Sequence, residues 1–229
     1  MRALILSDIH SNIPALEKVL EDAGSVDYIF SAGDIVGYGP WPNECIDLSK
    51  ELGFHAVAGN HDTASATGVI VDFNPYAEEA IRITHRLLRI ENFEYLARLP
   101  ESLEWNLGGS KLTIFHGSPR DPLNEYVFSY TADSVLESFL QQTRSEILIL
   151  GHTHIPFVRR FGSRLIINPG SVGQPRDSDP RASYMILEEG EEGLEVRIKR
   201  VEYPIESVAR KMVEEGFPEV LAHRLFYGW

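Results

Sequence analysis

A chain of 229 residues, 43% of them hydrophobic, can bury a sizeable core, and such a length commonly forms one large α/β domain, so a single domain over residues 1–229 is expected. The formal charge of -13 at pH 7, with no run of Lys or Arg, argues against long nucleic acid as a partner; a small anionic substrate remains open because bound cations can dominate a local field. The single cysteine, Cys45, excludes an intrachain disulfide or a CxxC redox pair, and no segment approaches the ~20 unbroken apolar residues of a membrane span, so no membrane partner and a cytoplasmic location are expected.

In chain order, residues 2–7 read as a short apolar strand that ends in a polar loop, and 15–23 carry apolar positions at helical spacing behind Pro14. The same step recurs. Residues 28–31 are a candidate strand before a Gly-rich loop and a helix near 42–51, and 54–58 is a third strand entering Gly59-Asn60-His61-Asp62. This alternation implies βαβ units and a largely parallel sheet. Residues 75–99 read as helical, 103–107 and 111–115 flank Gly108-Gly109 as a hairpin, and 131–142 read as a helix. A strand at 147–150 and shorter strands at 157–161, 165–167, 183–187 and 194–198 make the second half richer in hairpins, and a helix near 204–215 would close one face. A parallel half joined to a hairpin-rich half would give two packed sheets with helices outside. The apolar ending Leu225 to Trp229 should dock on the body of the chain, with a homo-oligomer contact as the alternative.

The chemistry sits where these strands end. Asp8 and His10 are two residues apart after the first strand, a spacing that puts both side chains on one side of an extended backbone. Asp34 follows Asp8 by 26 residues, and Asn60 follows Asp34 by 26, one strand-helix-strand step each time. Turn chemistry explains each loop singly but not the histidines within them. The second half adds His116 after a strand and His152 and His154 in Gly-His-Thr-His; five of the eight histidines (His10, His61, His116, His152, His154) thus fall at strand ends beside glycines. His55, His85 and His223 have no such setting.

With these motifs in order (Asp8-Ile9-His10, Gly33 to Gly37, Gly59 to Asp62, His116 and Gly151 to His154), the sequence resembles the calcineurin-like metallophosphoesterase superfamily from residue 2 to about 170. The resemblance implies a four-layer α/β/β/α sandwich, two mixed sheets face to face with helices outside, which agrees with the two sheets read from the pattern. It implies one divalent metal on Asp8, His10 and His154, another on Asn60, His116 and His152, and Asp34 bridging both. A carboxylate has two oxygens with which to hold two cations ~3.5 to 4 Å apart. Imidazole, carboxylate and amide donors without thiolate suit Mn, Fe or Zn.

No Ser, Cys or Lys is framed as a nucleophile, so the expected reaction is hydrolysis of phosphodiesters or related nucleotide esters by a hydroxide shared between the metals. His61 resembles the family's histidine that contacts the scissile phosphate, and Asp62 is placed to orient its ring. Tyr38, Trp41, Asn60 and Arg120 are candidate substrate contacts, with Tyr126 and Arg176 beside further loops. The Asn168 to Gly173 stretch resembles the small prokaryotic phosphodiesterase branch. Residues 116–122 resemble relatives acting on dinucleoside polyphosphates, the alternative substrate class; a non-catalytic scaffold of the same fold is a third reading, against which the intact ligand set argues.

Overall fold

The computed structural model describes residues 1–190 and 193–229. Its first sheet holds β1 (Arg2–Leu6), β2 (Tyr28–Ser31), β3 (His55–Ala56), β9 (Ala182–Gly190) and β10 (Gly193–Val201), in the order β10-β9-β1-β2-β3. β1, β2 and β3 run parallel, with Ala3 opposite Tyr28, and the β9-β10 hairpin adds antiparallel on the other side of β1. The second sheet holds β4 (Ser102–Leu107), β5 (Ser110–Phe115), β6 (Ile147–Ile149), β7 (Phe157–Phe161) and β8 (Arg164–Asn168), in the order β4-β5-β6-β8-β7. Here β5, β6 and β8 are parallel and the two edge strands antiparallel.

Strand alternation builds the layers. In β1, Ala3 and Ile5 point into the core between the sheets, where they meet Ile114, Ile147, Ile149 and Ile167. Leu4 and Leu6 point the other way, against helices α1 (Ile13–Ala23), α2 (Pro42–Glu51), α4 (Pro75–Leu87), α7 (Ile205–Glu214) and α8 (Glu219–Arg224). On the far face of the second sheet, Leu148, Leu150 and Ile166 pack on Leu136, Phe139 and Leu140 of α6 (Asp133–Thr143). The order is helices, sheet, sheet, helix: the expected α/β/β/α sandwich.

The sheets do not divide the chain into an early parallel half and a late hairpin half, as the strand pattern suggested. The last hairpin returns to the first sheet, because β9 is buried along most of its length and finds its partner in the open side of β1. The helical stretch expected over 75–99 is two helices, α4 and α5 (Ile90–Ala97). Leu88 and Arg89 between them are extended, the Arg89 amide donates to Asn43 Oδ1 at 2.9 Å, and the Arg89 guanidinium pairs with Asp47 on α2. Two helices escaped the sequence pattern: α8, and α3 (Asn60–Thr67), whose residues carry almost no apolar periodicity. The C-terminus docks on its own chain only in part: Leu225 is buried and the Gly228 carbonyl accepts the Ser178 amide at 2.9 Å, while Phe226, Tyr227 and Trp229 stay exposed. Among the described residues no helix is long and apolar enough to cross a membrane.

Candidate metal centre

The loops that leave β1, β2, β3, β5, β6 and β8 all emerge at strand C-termini and converge on one edge of the sandwich, the place where open α/β sheets gather ligands. Their backbones are held in a sparsely populated conformation: Asp8, His10, Asp34, His152 and His154 have φ of 53°, 48°, 52°, 65° and 58°. Each such residue costs on the order of 1–3 kcal/mol and persists only where its surroundings enforce it. Here the enforcement is a backbone lattice, in which the Asp8 amide donates to the Gly33 carbonyl, that of His10 to Asp34, that of Gly151 to His116 and that of Gly173 to Asp8, each at 2.9–3.0 Å. Gly59 is required by close approach, since a Cβ there would run into the Asp34 carboxylate.

Two groups of donors result: Asp8, His10 and His154, and Asp34, His116 and His152, with the atoms of each group within 4.8 Å of one another. The hydrogen-bond partners dictate the tautomers. His10 Nδ1 faces the Val36 carbonyl at 3.1 Å, His154 Nδ1 the Gln174 carbonyl at 2.6 Å, and His116 Nδ1 the Ala32 carbonyl at 2.8 Å. A carbonyl only accepts, so in a neutral ring the proton is on Nδ1 and Nε2 presents a bare lone pair. Yet the Nε2 atoms of His10 and His154 face each other at 3.1 Å, and His116 Nε2 faces Asn60 Oδ1 at 3.1 Å, His152 Nδ1 at 3.0 Å and Asp34 Oδ2 at 3.3 Å. Asp8 Oδ1 and Asp34 Oδ2, buried beside them, have no hydrogen-bond donor. Lone pairs that converge on lone pairs repel unless a cation lies among them. The donor set therefore fits a pair of divalent metal ions.

One detail departs from the two-oxygen bridge expected for Asp34. Its Oδ1 is engaged by the His61 amide at 2.9 Å, while Oδ2 alone faces both groups, 3.6 Å from His10 Nε2 and 3.3 Å from His116 Nε2. Burial opposes a charge on His116, but the Asp34 carboxylate against it outweighs burial and lifts the ring to about 9, so a proton and a metal compete for one nitrogen. Burial, helped by the charge of His116, pushes His152 down to about 3. Burial likewise holds His61 neutral, at about 4.

Tyr38, Asn60, His61, Tyr126 and Arg176 share a cavity of about 450 Å³ with Asp34, His152 and His154. Tyr126 stacks on the His152 ring with centroids 3.9 Å apart. Three expected residues take other places. Trp41 sits at the N-cap just before α2 and packs against the helical core, outside the cavity. Arg120 is paired with Glu125 and lies 5.0 Å over the Phe139 ring, also outside. Asp62 does not orient the His61 ring: its two oxygens accept the amides of Val36 and Gly59, both at 3.0 Å, and His61 Nδ1 is buried without a partner. As the third residue of α3, Asp62 satisfies orphan amides at the helix start and ties the Asp34 loop to the Asn60 loop. Burial, then the charge of Asp34, raises it to about 7.

The residues that sequence reasoning undervalued lie in the Asn168 to Gly173 turn. Asn168 donates to the Gly151 carbonyl at 2.7 Å and to Thr153 Oγ1 at 3.0 Å, and Ser171 Oγ donates to the Asp8 carbonyl at 2.7 Å. The turn thus clamps the first ligand loop to the last. Its Asn-Pro-Gly-Ser composition was visible, but not which carbonyls it would serve.

The profile described as the calcineurin-like phosphoesterase superfamily domain matches residues 1–192. The chain belongs to this superfamily. A metallophosphoesterase from Sphaerobacter thermophilus, solved by crystallography, is 40% identical with a TM-score of 0.87, over 100% of this chain and 99% of that one. An uncharacterised protein of Methanocaldococcus jannaschii is 39% identical, over 98% of this chain and 97% of its own length. Phosphodiesterase YfcE of Escherichia coli is 24% identical, over 82% and 88% respectively. The chain is a metal-dependent phosphoesterase, and its fold is that of the metallophosphoesterase sandwich.

Proposed function

We propose that this phosphoesterase hydrolyses phosphodiesters and related nucleotide esters at a binuclear centre, with Asp8, His10 and His154 holding one divalent ion, Asn60, His116 and His152 the other, and Asp34 Oδ2 between them. The observation that carries this reading is the convergence of ring nitrogens on orphaned carboxylate oxygens, the rings of His10, His116 and His154 each locked by a carbonyl behind Nδ1. Manganese, iron or zinc suits the mixed donors. When bound, such ions supply Lewis acidity and a water acidified towards neutral pH. Relatives named as phosphodiesterases support the substrate class.

The chain's own residues account for the rest. Among the described residues no Ser, Thr, Cys or Lys lines the cavity, which favours direct hydrolysis over a covalent intermediate. His61 lies on the cavity wall between the rings of Tyr38 and Phe73, at centroid distances of 4.5 and 5.1 Å. Held neutral by burial, it enters as an N–H donor to the ester, and the substrate's negative charge raises its affinity for a proton to be passed to the leaving oxygen. With Arg120 outside the cavity, the resemblance of residues 116–122 to dinucleoside polyphosphate hydrolases loses its expected side chain.

Asp34→Asn tests the centre, because an amide offers no charge to two cations. Elemental analysis should find fewer than two metals per chain, with activity lost in step. Two tightly held metals and near-normal turnover would remove Asp34 from the bridge. A scaffold of this fold would turn over no chromogenic diester with any metal.

A further inference from the structure

Among the described residues, and apart from imidazoles, Arg176 is the one basic side chain that lines the cavity. Its guanidinium lies 5.6 Å over the Tyr38 ring, and Nη2 donates to Gln174 Oε1 at 2.9 Å and to the Tyr38 hydroxyl at 3.3 Å. Among the described residues no carboxylate pairs with it. Its neighbour Asp177 is turned to Arg200, and Asp72 and Asp121 on the cavity wall lie beyond ion-pair distance. Arg176 Nε is buried without a partner, and so is Nε2 of Gln174, a side chain only 1% exposed.

A second guanidinium without a carboxylate partner among the described residues is that of Arg224, near the C-terminus. The C-terminal tail docks on the loop after Arg176, through the Ser178 amide and Gly228 carbonyl, and carries Arg224 with it. Arg224 has no ion pair among the described residues, and its Nε is buried and unpartnered. Burial, and then the charge of Arg176, pushes Arg224 below the usual arginine range. Arg120, which lies outside the cavity, has a carboxylate partner; Arg176, on its wall, has none among the described residues. A cation on the cavity wall without a carboxylate partner is costly alone, and an anion entering the cavity beside the guanidinium relieves it.

We propose that Arg176 forms an anion subsite that selects phosphoesters carrying a second phosphate group. It rests on the reading above, in which the scissile phosphate lies at the metal centre. The second phosphate is joined either across a sugar or through an anhydride, and both sources present the same oxygens to the guanidinium.

Two substrates that release the same nitrophenolate separate these terms: thymidine 5′-(p-nitrophenyl phosphate) and its 3′-phosphorylated derivative. The kcat/KM ratio of the second over the first should fall by about 10- to 150-fold in Arg176→Ala, the loss of one charge-assisted contact. Arg176→Lys should recover part of it, and Arg120→Ala should leave the ratio unchanged. An unaltered ratio in Arg176→Ala overturns the subsite. Pyrophosphate and phosphate binding to metal-stripped protein, read by calorimetry, tests the anhydride arm without turnover. Pyrophosphate should bind more tightly than phosphate, and Arg176→Ala should abolish the difference; equal affinities in the wild type overturn that arm. If the wild type hydrolyses neither ester with manganese, iron or zinc, the proposed reaction fails, while the pyrophosphate comparison still decides the subsite.

Discussion

His61 is the side chain whose role the geometry narrows most. Neither ring nitrogen bonds a carboxylate, its neighbours are aromatic, and its amide holds Asp34 Oδ1, so the backbone and the ring serve separate purposes. His61→Ala keeps that amide. It should retain both metals by elemental analysis and slow hydrolysis by roughly 10²- to 10⁴-fold, less for nitrophenolate than for an alkoxide leaving group. Equal losses for good and poor leaving groups would count against proton donation. The same cluster gives metal-free protein a distinctive pH response. His116, raised to about 9, binds a proton in the folded state that the unfolded chain releases near 6.5, so its contribution is full below 6.5 and lost as pH rises through 9. His61 and His152, lowered to about 4 and about 3, act oppositely: their contribution is present above 6.5 and lost as pH falls towards those values. Asp62, raised to about 7, offsets one of these two protons between pH 4 and 7. Thermal melts in chelator should therefore peak near pH 6.5 and decline towards 9, and manganese should remove the alkaline decline by replacing the proton on His116. A chelated protein whose midpoint climbs steadily to pH 9 would refute the assignment.

At the scale of elements, the site is a set of strand-end loops braced against one another, and the brace with least redundancy is the turn after β8. Asn168 serves one carbonyl and one hydroxyl of the Gly151 to His154 loop and accepts the Gly170 amide at 2.8 Å, all in the buried interior. Asn168→Ala leaves those buried groups unsatisfied and should cost about 1–3 kcal/mol of stability for one such group and more for several. Because the loop carries His152 and His154, metal affinity should fall in the same variant, measured by competition with a chelator. A destabilised protein with unchanged metal affinity would show the loop to be held by its other contacts. Parallel strands were legible from apolar runs followed by Gly-rich loops, as in residues 2–7 and 147–150. The break between α4 and α5 was not, because residues 75–99 satisfy helical spacing throughout. Only the reach of Arg89 to Asn43 and Asp47 on another helix opens the turn.

For the whole molecule, one core between the sheets joins residues from β1 to β9, so the chain should unfold as a unit. Ile149, fully buried there, touches neither cavity nor ligand, and Ile149→Ala should cost about 2–5 kcal/mol. Near- and far-UV circular dichroism should report one shared midpoint for this variant in chelator; two separate transitions would argue for more than one domain. What the sequence by itself determined is the inventory: the strand-end motifs, with Asp8, His10, Asp34, Asn60, His116, His152 and His154 at the spacing of successive strands, and the alternation that demands two buried sheet faces. Those features are local, written in neighbours along the chain. Tertiary structure alone decided that β9 closes on β1, that Arg120 turns to Glu125 while Arg176 enters the cavity, that Asp62 serves backbone amides, and that Asp34 presents a single oxygen to both groups. Each of these depends on a partner a long way off in sequence or on the direction of a side chain, and neither is carried by periodicity.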